Sequence, residues 1–458
     1  MSAITPISNF IMASAVPEAA LPLARNAFLD TIGVTLAGAV EPASRIVRKL
    51  AALEGCEALC PVLGTDLKTS ATWAAMANGT AAHALDFDDM CFISLAHPSA
   101  PLVASLLAVS EKVGASGRAI LEAYVVGFEV EAVLGRVMNP RHYQQGWHCT
   151  STLGSVGAAA ACARLLRLDA TATANCIALS ASQASGLKEN FGTMSKPFHA
   201  GMAARNGVLA ALLAQNGFTA AERALDGPQG FLLAMASERA ELQDACADLG
   251  KRWEILETGI TVKLYPACAA THPALDAVLD MRNENRLVPD QVQAVEVEVD
   301  SVTPNLLIYD RPKTGLEGKF SMPFCVAAAL SEGQVELKTF EDEYVRSARI
   351  QELLPRVVLR TNPELGKNAP ALTQAIVTIR LTDGRVLRRE ANGARGYPER
   401  PASAAELDEK FRSCALRALS RERVDCALSS LHTLETMADV RTLTGPLTLQ
   451  HEPQPNLA

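Results

Sequence analysis

Three of the eight histidines have neighbours that suit proton transfer. His97 follows an acidic cluster, residues 86–89, and stands before Pro101, which can begin a helix. His148 lies in a polar loop before an Ala-rich helix, whose N-terminus would favour an anion. His272 lies where the sequence pattern changes, and a cleft between domains is a common site for a small molecule. For any one of them, the alternative is a structural role in the core or on the surface.

The segment 185–207 adds positive charge. It begins as a loop that contains Gly, Thr and Ser and continues as a helix. Lys196 directly precedes Pro197, so we expect an extended backbone at Lys196 where the helix begins. Arg205 follows about two turns later. A Lys point charge and an Arg fork could together hold a carboxylate, and a solvated Lys with an ion-paired surface Arg is the alternative.

The sequence predicts no metal and no cofactor. The histidines between residues 83 and 272 do not stand four residues apart, as in a helical zinc pair. The short pair Cys56 and Cys60 lacks a third nearby thiol that zinc or an iron-sulfur cluster would need. A phosphate-binding loop and the Gly-x-Gly-x-x-Gly motif of dinucleotide folds are both missing.

Composition narrows the partners and the compartment. Lys plus Arg number 42 against 50 Asp plus Glu, a net charge of -8, which argues against nucleic acid and leaves small molecules or protein. The 11 cysteines have no paired spacing and are typical of reduced intracellular thiols. Without a charged leader or a long apolar stretch, we expect no secretory signal, no membrane span and a cytoplasmic protein.

Hydrophobic periodicity then places these residues on elements. The first half has helical spacing, as in Leu121, Tyr124, Val125 and Phe128, and this helix should end at Asn139-Pro140. Later the period becomes that of strands, with an alternating run at 295–299, a second run at 356–361, and a hairpin whose strands, 375–381 and 385–390, flank Asp383-Gly384. Helical spacing resumes at Ala404 and continues towards Leu431.

These patterns predict a mostly α protein. A large all-helical domain comprises residues 1–265 and 401–450, a smaller α+β domain comprises residues 266–400, and a tail at 451–458 is frayed.

Several long motifs resemble the MmgE/PrpD family, in the family's order and over almost the whole chain. They are Asp86-Phe-Asp-Asp89 with His97-Pro-Ser99, Gly146-Trp-His-Cys-Thr-Ser-Thr152, the run from Lys188 to His199 with Ala204-Arg-Asn-Gly207, Lys263-Leu-Tyr-Pro-Ala-Cys268 with His272, and Lys319-Phe-Ser321.

The resemblance implies a large helical domain with a smaller α+β domain, in a homodimer. Known members act on small di- and tricarboxylates without metal or organic cofactor, as 2-methylcitrate dehydratase, cis-aconitate decarboxylase and iminodisuccinate epimerase. All three reactions move a proton, or stabilise an equivalent carbanion, at a carbon next to a carboxylate. Such a step needs positive charge on the carboxylate and a base near neutral pH.

The resemblance also assigns residues. The catalytic positions that match are Asp86, His97, His148, Lys196 and His272, and Tyr143 resembles a tyrosine of the epimerase that could act as an acid. Either His97 or Lys196 is the favoured proton donor or acceptor, with His148 and His272 lining the pocket. The residues expected to bind substrate are Arg205, Lys263, Met90 and Phe324.

Two departures bear on the reaction. Met90 stands where decarboxylase-like members place a small hydroxyl residue, and Phe324 stands where they place a tyrosine. An epimerase-like or dehydratase-like activity is therefore placed ahead of decarboxylation. The alternative from another class is a non-catalytic carboxylate-binding or scaffold protein that has kept the fold.

Overall fold

Residues 2–236, 242–367 and 372–449 are described by a computed structural model, and most of them are helical. The tail predicted to fray, 451–458, lies outside the described residues. The helices in chain order are α1 Ile4–Ala13, α2 Leu21–Gly38, α3 Pro42–Leu53, α4 Ala71–His83, α5 Ser99–Val113, α6 Gly117–Met138, α7 Arg141–Gln144, α8 Cys149–Leu165, α9 Ala170–Gln183, α10 Ser195–Gln215, α11 Phe231–Ala236, α12 Leu242–Cys246, α13 Glu254–Glu257, α14 His272–Asn285, α15 Gly315–Gly318, α16 Met322–Glu332, α17 Asp342–Val345, α18 Ala348–Leu353, α19 Ala404–Ala415, α20 Arg421–His432 and α21 Arg441–Thr444.

The chain divides into two compact units. The described residues within Met1–Ala84, Asp88–Ile260 and Ser403–Ala458 form the first, which we call the helical unit. Those within Leu85–Phe87 and Thr261–Ala402 form the second, which we call the α+β unit. The mostly α fold class predicted from the sequence is confirmed. The short segment 85–87 belongs to the α+β unit, although the sequence pattern does not single it out.

Small residues let helices in the centre of the helical unit approach closely. In α8 every residue except Arg164 is buried, because small and apolar residues are present on every side of this helix. Helices α4 and α10 meet at Gly79 and Gly201. A Cβ on Gly201 would lie 2.2 Å from the Thr80 Oγ1 atom and 2.4 Å from the Met76 carbonyl oxygen, so only glycine fits there.

The α+β unit contains one four-stranded mixed sheet. Its strands are β3 Val292–Val299, β4 Val357–Thr361, β5 Gln374–Leu381 and β6 Val386–Asn392; β1 Cys60–Pro61 and β2 Lys68–Thr69 form a separate small pair in the helical unit. The sheet order is β4-β3-β5-β6, with β3 and β4 parallel and the other pairs antiparallel. The alternation and hairpin signals predicted these strands, and the structure confirms them.

Two local predictions need correction. Helix α10 begins at Ser195, so Lys196 lies inside its first turn rather than in extended backbone. Pro197 is tolerated there because the N–H groups of a first turn have no acceptor within the helix. The helical run from Ala404 is not continuous either: α19 ends at Ala415, and Ser420 is the N-cap of a new helix.

The C-terminal helices are tied to the N-terminal part of the same unit. Helix α19 packs on α2, where the Lys410 ammonium lies 2.6 Å from the Asp30 carboxylate, and both side chains are buried.

Within the part of the chain that the structure describes, no single helix has both the length and the hydropathy to cross a membrane. The pair Ile4–Ala13 and Glu18–Gly38, bent by 91°, meets those two criteria only when the helices are taken together.

The contact at Gly201 leads to a stability prediction. We expect Gly201→Ala to lower the free energy of unfolding by about 1–3 kcal/mol, because the added methyl group overpacks the contact between α4 and α10. Gly445→Ala is the control, since a Cβ there would meet only one atom, at 3.9 Å, and should change stability by less than about 0.5 kcal/mol. Urea unfolding of both variants measures the difference. Equal stability of the two would contradict close packing at Gly201.

Candidate active site

A fully buried carboxylate, Asp88, joins two histidines in the helical unit. Its Oδ2 atom lies 2.7 Å from the Nδ1 atom of His83 and 3.3 Å from the Nδ1 atom of His97. His83 is the last residue of α4, and His97 lies just before α5, where its backbone N–H donates to the Thr150 hydroxyl over 3.0 Å. The end of one helix and the beginning of the next therefore bring the three side chains together.

This carboxylate fixes which nitrogen of each ring carries hydrogen. Burial by itself raises the pKa of Asp88, but the electrostatic interaction with the polar rings of His83 and His97, and the hydrogen bonds from them, outweigh burial and hold the pKa well below its usual value. An ionised carboxylate can only accept hydrogen bonds, so both Nδ1 atoms are donors. In a neutral ring the lone pair then lies on Nε2, which is the atom that can take a proton.

His83 lies between the other histidines of the site. Its ring centroid lies 4.5 Å from that of His97 and 5.6 Å from that of His148. Burial lowers the pKa of His83 to about 3; Asp88 opposes this shift, and Lys196 adds to it. The Nε2 atom of His83 is buried and has no hydrogen-bond partner among the described residues. His83 is thus held neutral, with an unused acceptor.

His148 lies at the N-cap of α8, and a short backbone bridge sets its position. Trp147 pairs with Leu187 in an antiparallel bridge, and the His148 N–H donates to the Gly186 carbonyl oxygen over 3.0 Å. The Nδ1 atom of His148 lies 3.1 Å from the Nδ1 atom of His199. This bridge joins the loop before α8 to the loop before α10, which connects two motifs that are far apart in sequence.

Lys196 supplies positive charge at the same place. It lies in the first turn of α10, its side chain is buried, and its ammonium lies 5.3 Å from the centre of the Phe191 ring. Burial is the main cause that lowers the pKa of His83, His148 and His199, and the charge of Lys196 acts in the same direction on all three. The charge of Lys196 therefore disfavours protonation of all three rings.

Tyr143 lies in α7, five residues before His148, and is buried. The Lys188 ammonium lies 3.6 Å from the centre of the Tyr143 ring and donates to the Tyr143 carbonyl oxygen over 2.9 Å. An acid role for Tyr143 stays a prediction.

Arg205 is not brought to Lys196. Both lie in α10, nine residues apart, which corresponds to about 13 Å along the helix axis and two and a half turns, so their side chains leave opposite faces. This separation speaks against their jointly holding one carboxylate, and that expectation stays a prediction. Binding of substrate by Arg205 alone stays a prediction. Met90 is buried in the helical unit and also stays a prediction.

Four of the predicted residues, Asp86, Lys263, His272 and Phe324, lie in the α+β unit. Asp86 has a left-handed backbone, with φ of 51°, and the buried Lys263 ammonium donates both to its carbonyl oxygen, at 2.9 Å, and to its carboxylate, at 3.1 Å. Lys319 donates to the Leu85 carbonyl oxygen over 2.6 Å. The segment 85–87 is thus held by two buried lysines, and the Lys263 ammonium already has an anionic partner.

His272 begins α14 and is fully buried. Its Nε2 atom donates to the Ala267 carbonyl oxygen over 3.2 Å, so Nδ1 carries the lone pair, and Nδ1 has no hydrogen-bond partner in the described part of the chain. Burial lowers the pKa of His272 to about 3, and the charge of Lys263 acts in the same direction. Phe324, in contrast, packs among aromatic rings, 5.6 Å from Phe340.

Sequence reasoning missed three members of the arrangement. His83, Asp88 and His199 were not assigned roles, although His83 and Asp88 flank Asp86 and His199 ends the Lys188 motif. The spacing of residues 83–89 contained a signal, since a histidine and three aspartates lie within seven residues. What the sequence could not reveal is which aspartate faces which partner.

His83, Asp88 and His97 also offer candidate metal ligands, because their potential ligand atoms lie within 4.8 Å of one another. The 2.7 Å separation of His83 Nδ1 and Asp88 Oδ2 is a hydrogen-bond distance, so we interpret the group as hydrogen-bonded.

The sequence matches both domains of a known protein family. The MmgE/PrpD N-terminal domain matches residues 7–243, and the MmgE/PrpD C-terminal domain matches residues 265–435. The chain therefore belongs to the MmgE/PrpD family.

Similar proteins are enzymes, and the similarity extends over nearly the whole length. Cis-aconitate decarboxylase of Homo sapiens is 28% identical over 446 residues, which cover 94% of this chain and 90% of that protein. The cis-aconitate decarboxylase-like protein oryM of Aspergillus oryzae is also 28% identical, over 94% of this chain and 93% of its own. Cis-aconitate decarboxylase of Aspergillus terreus is 25% identical, over 93% and 91%.

The neutral state of His83 predicts how stability depends on pH. An unfolded histidine has a pKa of about 6.5, so between that pH and about 3 the unfolded chain binds a proton that folded His83 does not. Stability from His83 is thus full above pH 6.5 and falls as pH falls, by up to about 1.4 kcal/mol per pH unit. We expect His83→Asn, which keeps an N–H for Asp88, to reduce this slope by that amount.

Urea unfolding at pH 4.5, 5.5 and 6.5 measures the slope for the wild type and for His83→Asn. The exposed His432, which lies 3.0 Å from Asp408, supplies a control for the loss of a surface histidine, and His432→Asn is measured in the same way. An unchanged slope in His83→Asn would show that His83 is protonated in the folded protein.

Proposed function

We propose that this protein is a cofactor-independent lyase or isomerase that moves a proton at a carbon next to a carboxylate of a small di- or tricarboxylate. The observation that carries the proposal is the buried Asp88 carboxylate bound to His83 and His97, with Lys196 nearby. The names of the similar enzymes support a substrate of this class, since cis-aconitate is a tricarboxylate.

His97 is the favoured base. Asp88 holds its Nδ1–H, which leaves Nε2 to accept the proton from carbon and stabilises the imidazolium that results. Of the two histidines on Asp88, His97 is the more accessible, with 8% of its surface exposed against 1% for His83. His83 then serves to complete the hydrogen bonds of Asp88 and to pack against the ring of His97.

Lys196 would stabilise the charge that develops on the substrate. When a proton leaves a carbon next to a carboxylate, negative charge spreads onto the carboxylate oxygens, and a buried ammonium acts strongly on it because little water screens the charge. A catalytic role for Asp86, pocket-lining roles for His148 and His272, and binding roles for Lys263 and Arg205 remain part of this proposal.

Epimerisation or dehydration is the first candidate for the reaction that follows proton removal. Met90 and Phe324 both lack a hydroxyl, and Phe324 packs against Phe340, so neither supplies a proton. Decarboxylation is the second candidate, because the similar enzymes carry the name cis-aconitate decarboxylase. A homodimer and a cytoplasmic location are also proposed, and light scattering and fractionation would test them.

A substrate panel tests the function. The protein is incubated in deuterium oxide with 2-methylcitrate, citrate, cis-aconitate or iminodisuccinate, and NMR follows deuterium uptake, water loss, epimerisation and release of carbon dioxide. We expect turnover of at least one of them, undiminished by EDTA. His97→Ala and Lys196→Ala should lose that turnover and keep the wild-type fold by circular dichroism.

The other possible outcomes of the substrate panel would each contradict a different part of the proposal. No change in any substrate, with no thermal shift, would favour the non-catalytic alternative. Loss of activity in EDTA would make the His83, Asp88 and His97 group a metal site. Full activity in both alanine variants would move the site elsewhere.

Two neighbouring aspartates provide a sharper test. Asp88→Asn should lower kcat by about 10²- to 10⁴-fold, because a neutral amide removes the negative charge that would stabilise the imidazolium of His97. Asp89 is the matched control: burial raises its pKa to about 8, so its carboxyl is largely protonated at pH 7 and an amide replaces it closely. Steady-state kinetics of Asp88→Asn and Asp89→Asn should therefore differ widely, and equal losses would contradict the role of Asp88.

A further inference from the structure

We propose that His199 relays protons between His148 and solvent, so that the reaction uses a coupled pair of histidines; this inference rests on the proposed function. The pair is defined by its geometry. The two Nδ1 atoms lie 3.1 Å apart, within hydrogen-bond distance. One of them must then carry hydrogen while the other offers a lone pair, so the tautomer of each ring determines that of the other.

The surroundings of His148 make a proton on it costly. Its ring is buried and faces His83, Lys196, His199 and His97. Burial, together with these basic neighbours, holds the pKa of His148 well below its usual value. A proton that reaches His148 must therefore pass on rather than stay there.

His199 gives that proton a route outward. It is partly exposed, whereas His148 has only 1% of its surface exposed. Burial and Lys196 lower the pKa of His199 to about 4, so this ring is also neutral near pH 7 and has a lone pair to offer. Since the Nε2 atom of His148 is buried and has no hydrogen-bond partner among the residues described, it can face a substrate.

The transfer is balanced in both directions. After His97 has removed a proton, His148 Nε2 donates its hydrogen to the substrate, His199 Nδ1 passes its hydrogen to His148 Nδ1, and water supplies a proton to His199 Nε2. Both rings end as neutral tautomers opposite to those at the start. This sequence delivers a proton to the substrate, as epimerisation, or protonation after decarboxylation, requires, and the reverse sequence restores the two rings.

The backbone around His199 keeps its ring in place. The Ser151 hydroxyl donates to the His199 carbonyl oxygen over 3.1 Å. Gly186 has a φ of 124°, and a Cβ there would lie 3.3 Å from the Cγ atom of His199 and 2.9 Å from the Cβ atom of Ser151. Glycine at this position lets the loop lie directly against the ring, and the same loop binds the backbone of His148.

Three variants of His199 separate a relay from a structural role. His199→Asn keeps an amide at the position of Nδ1, and therefore the bond to His148, but cannot pass a proton. We expect kcat in His199→Asn and His199→Ala to fall by about 10- to 100-fold, with little change in KM. Added imidazole should restore kcat in His199→Ala, while His199→Phe, which fills the space, should not respond. His432→Ala is the control for loss of a histidine.

Wild-type activity in His199→Asn, or no rescue by imidazole in a folded His199→Ala, would overturn the relay while leaving the proposed function intact. If the wild type converts no polycarboxylate, the proposed function fails, and ¹⁵N NMR of the resting protein decides the pair separately. A relay predicts that His148 exchanges between tautomers in the wild type and is fixed in one in His199→Asn. A single tautomer in both proteins would refute it.

Discussion

The structure of the site depends on one buried charge, the carboxylate of Asp88. An ionised carboxylate without water is costly unless hydrogen bonds and opposite charge compensate it, and removing one partner of such a group leaves the rest uncompensated. Asp88 obtains its compensation from His83 and His97, which come from the end of α4 and the segment before α5. The path of the chain between these helices must therefore satisfy the hydrogen bonds of Asp88 as well as the packing of the core.

Small residues make this arrangement possible. Alanine and glycine faces let helices approach closely, so polar groups at the helix ends are enclosed without long side chains between them. The contact of Gly79 with Gly201 joins α4, which carries His83, to α10, which carries Lys196 and His199. The charge of Lys196 thus acts on a set of histidines that burial already keeps neutral, and a group of neutral rings beside a cation is suited to accept and pass protons near neutral pH.

Much of the fold was predictable because its signals are local. Alternation at 295–299 and the Asp383-Gly384 turn indicate strands β3, β5 and β6, and apolar spacing from Leu121 indicates α6. Exact helix starts were less accessible. The sequence placed Lys196 outside α10, since the bias before proline is statistical and the first turn of a helix tolerates it. Motif matches likewise indicated roles for His97, His148 and Lys196, but none for His83, or for His199, whose partner His148 is distant in sequence.

The acidic cluster, residues 86–89, separates what the sequence determines about the site from what the tertiary structure determines. Sequence alone determined that Asp86, Asp88 and Asp89 stand together near His83, and hence that carboxylates and imidazoles would be neighbours. Only the folded chain gave each its partner: Lys263 for Asp86, the two histidines for Asp88, and Ser99 for Asp89. The physical reason is that the pKa and hydrogen bonds of a buried carboxylate depend on which groups the folded backbone turns towards it, whether they are near in sequence, as His83 and Ser99 are, or far away, as Lys263 is.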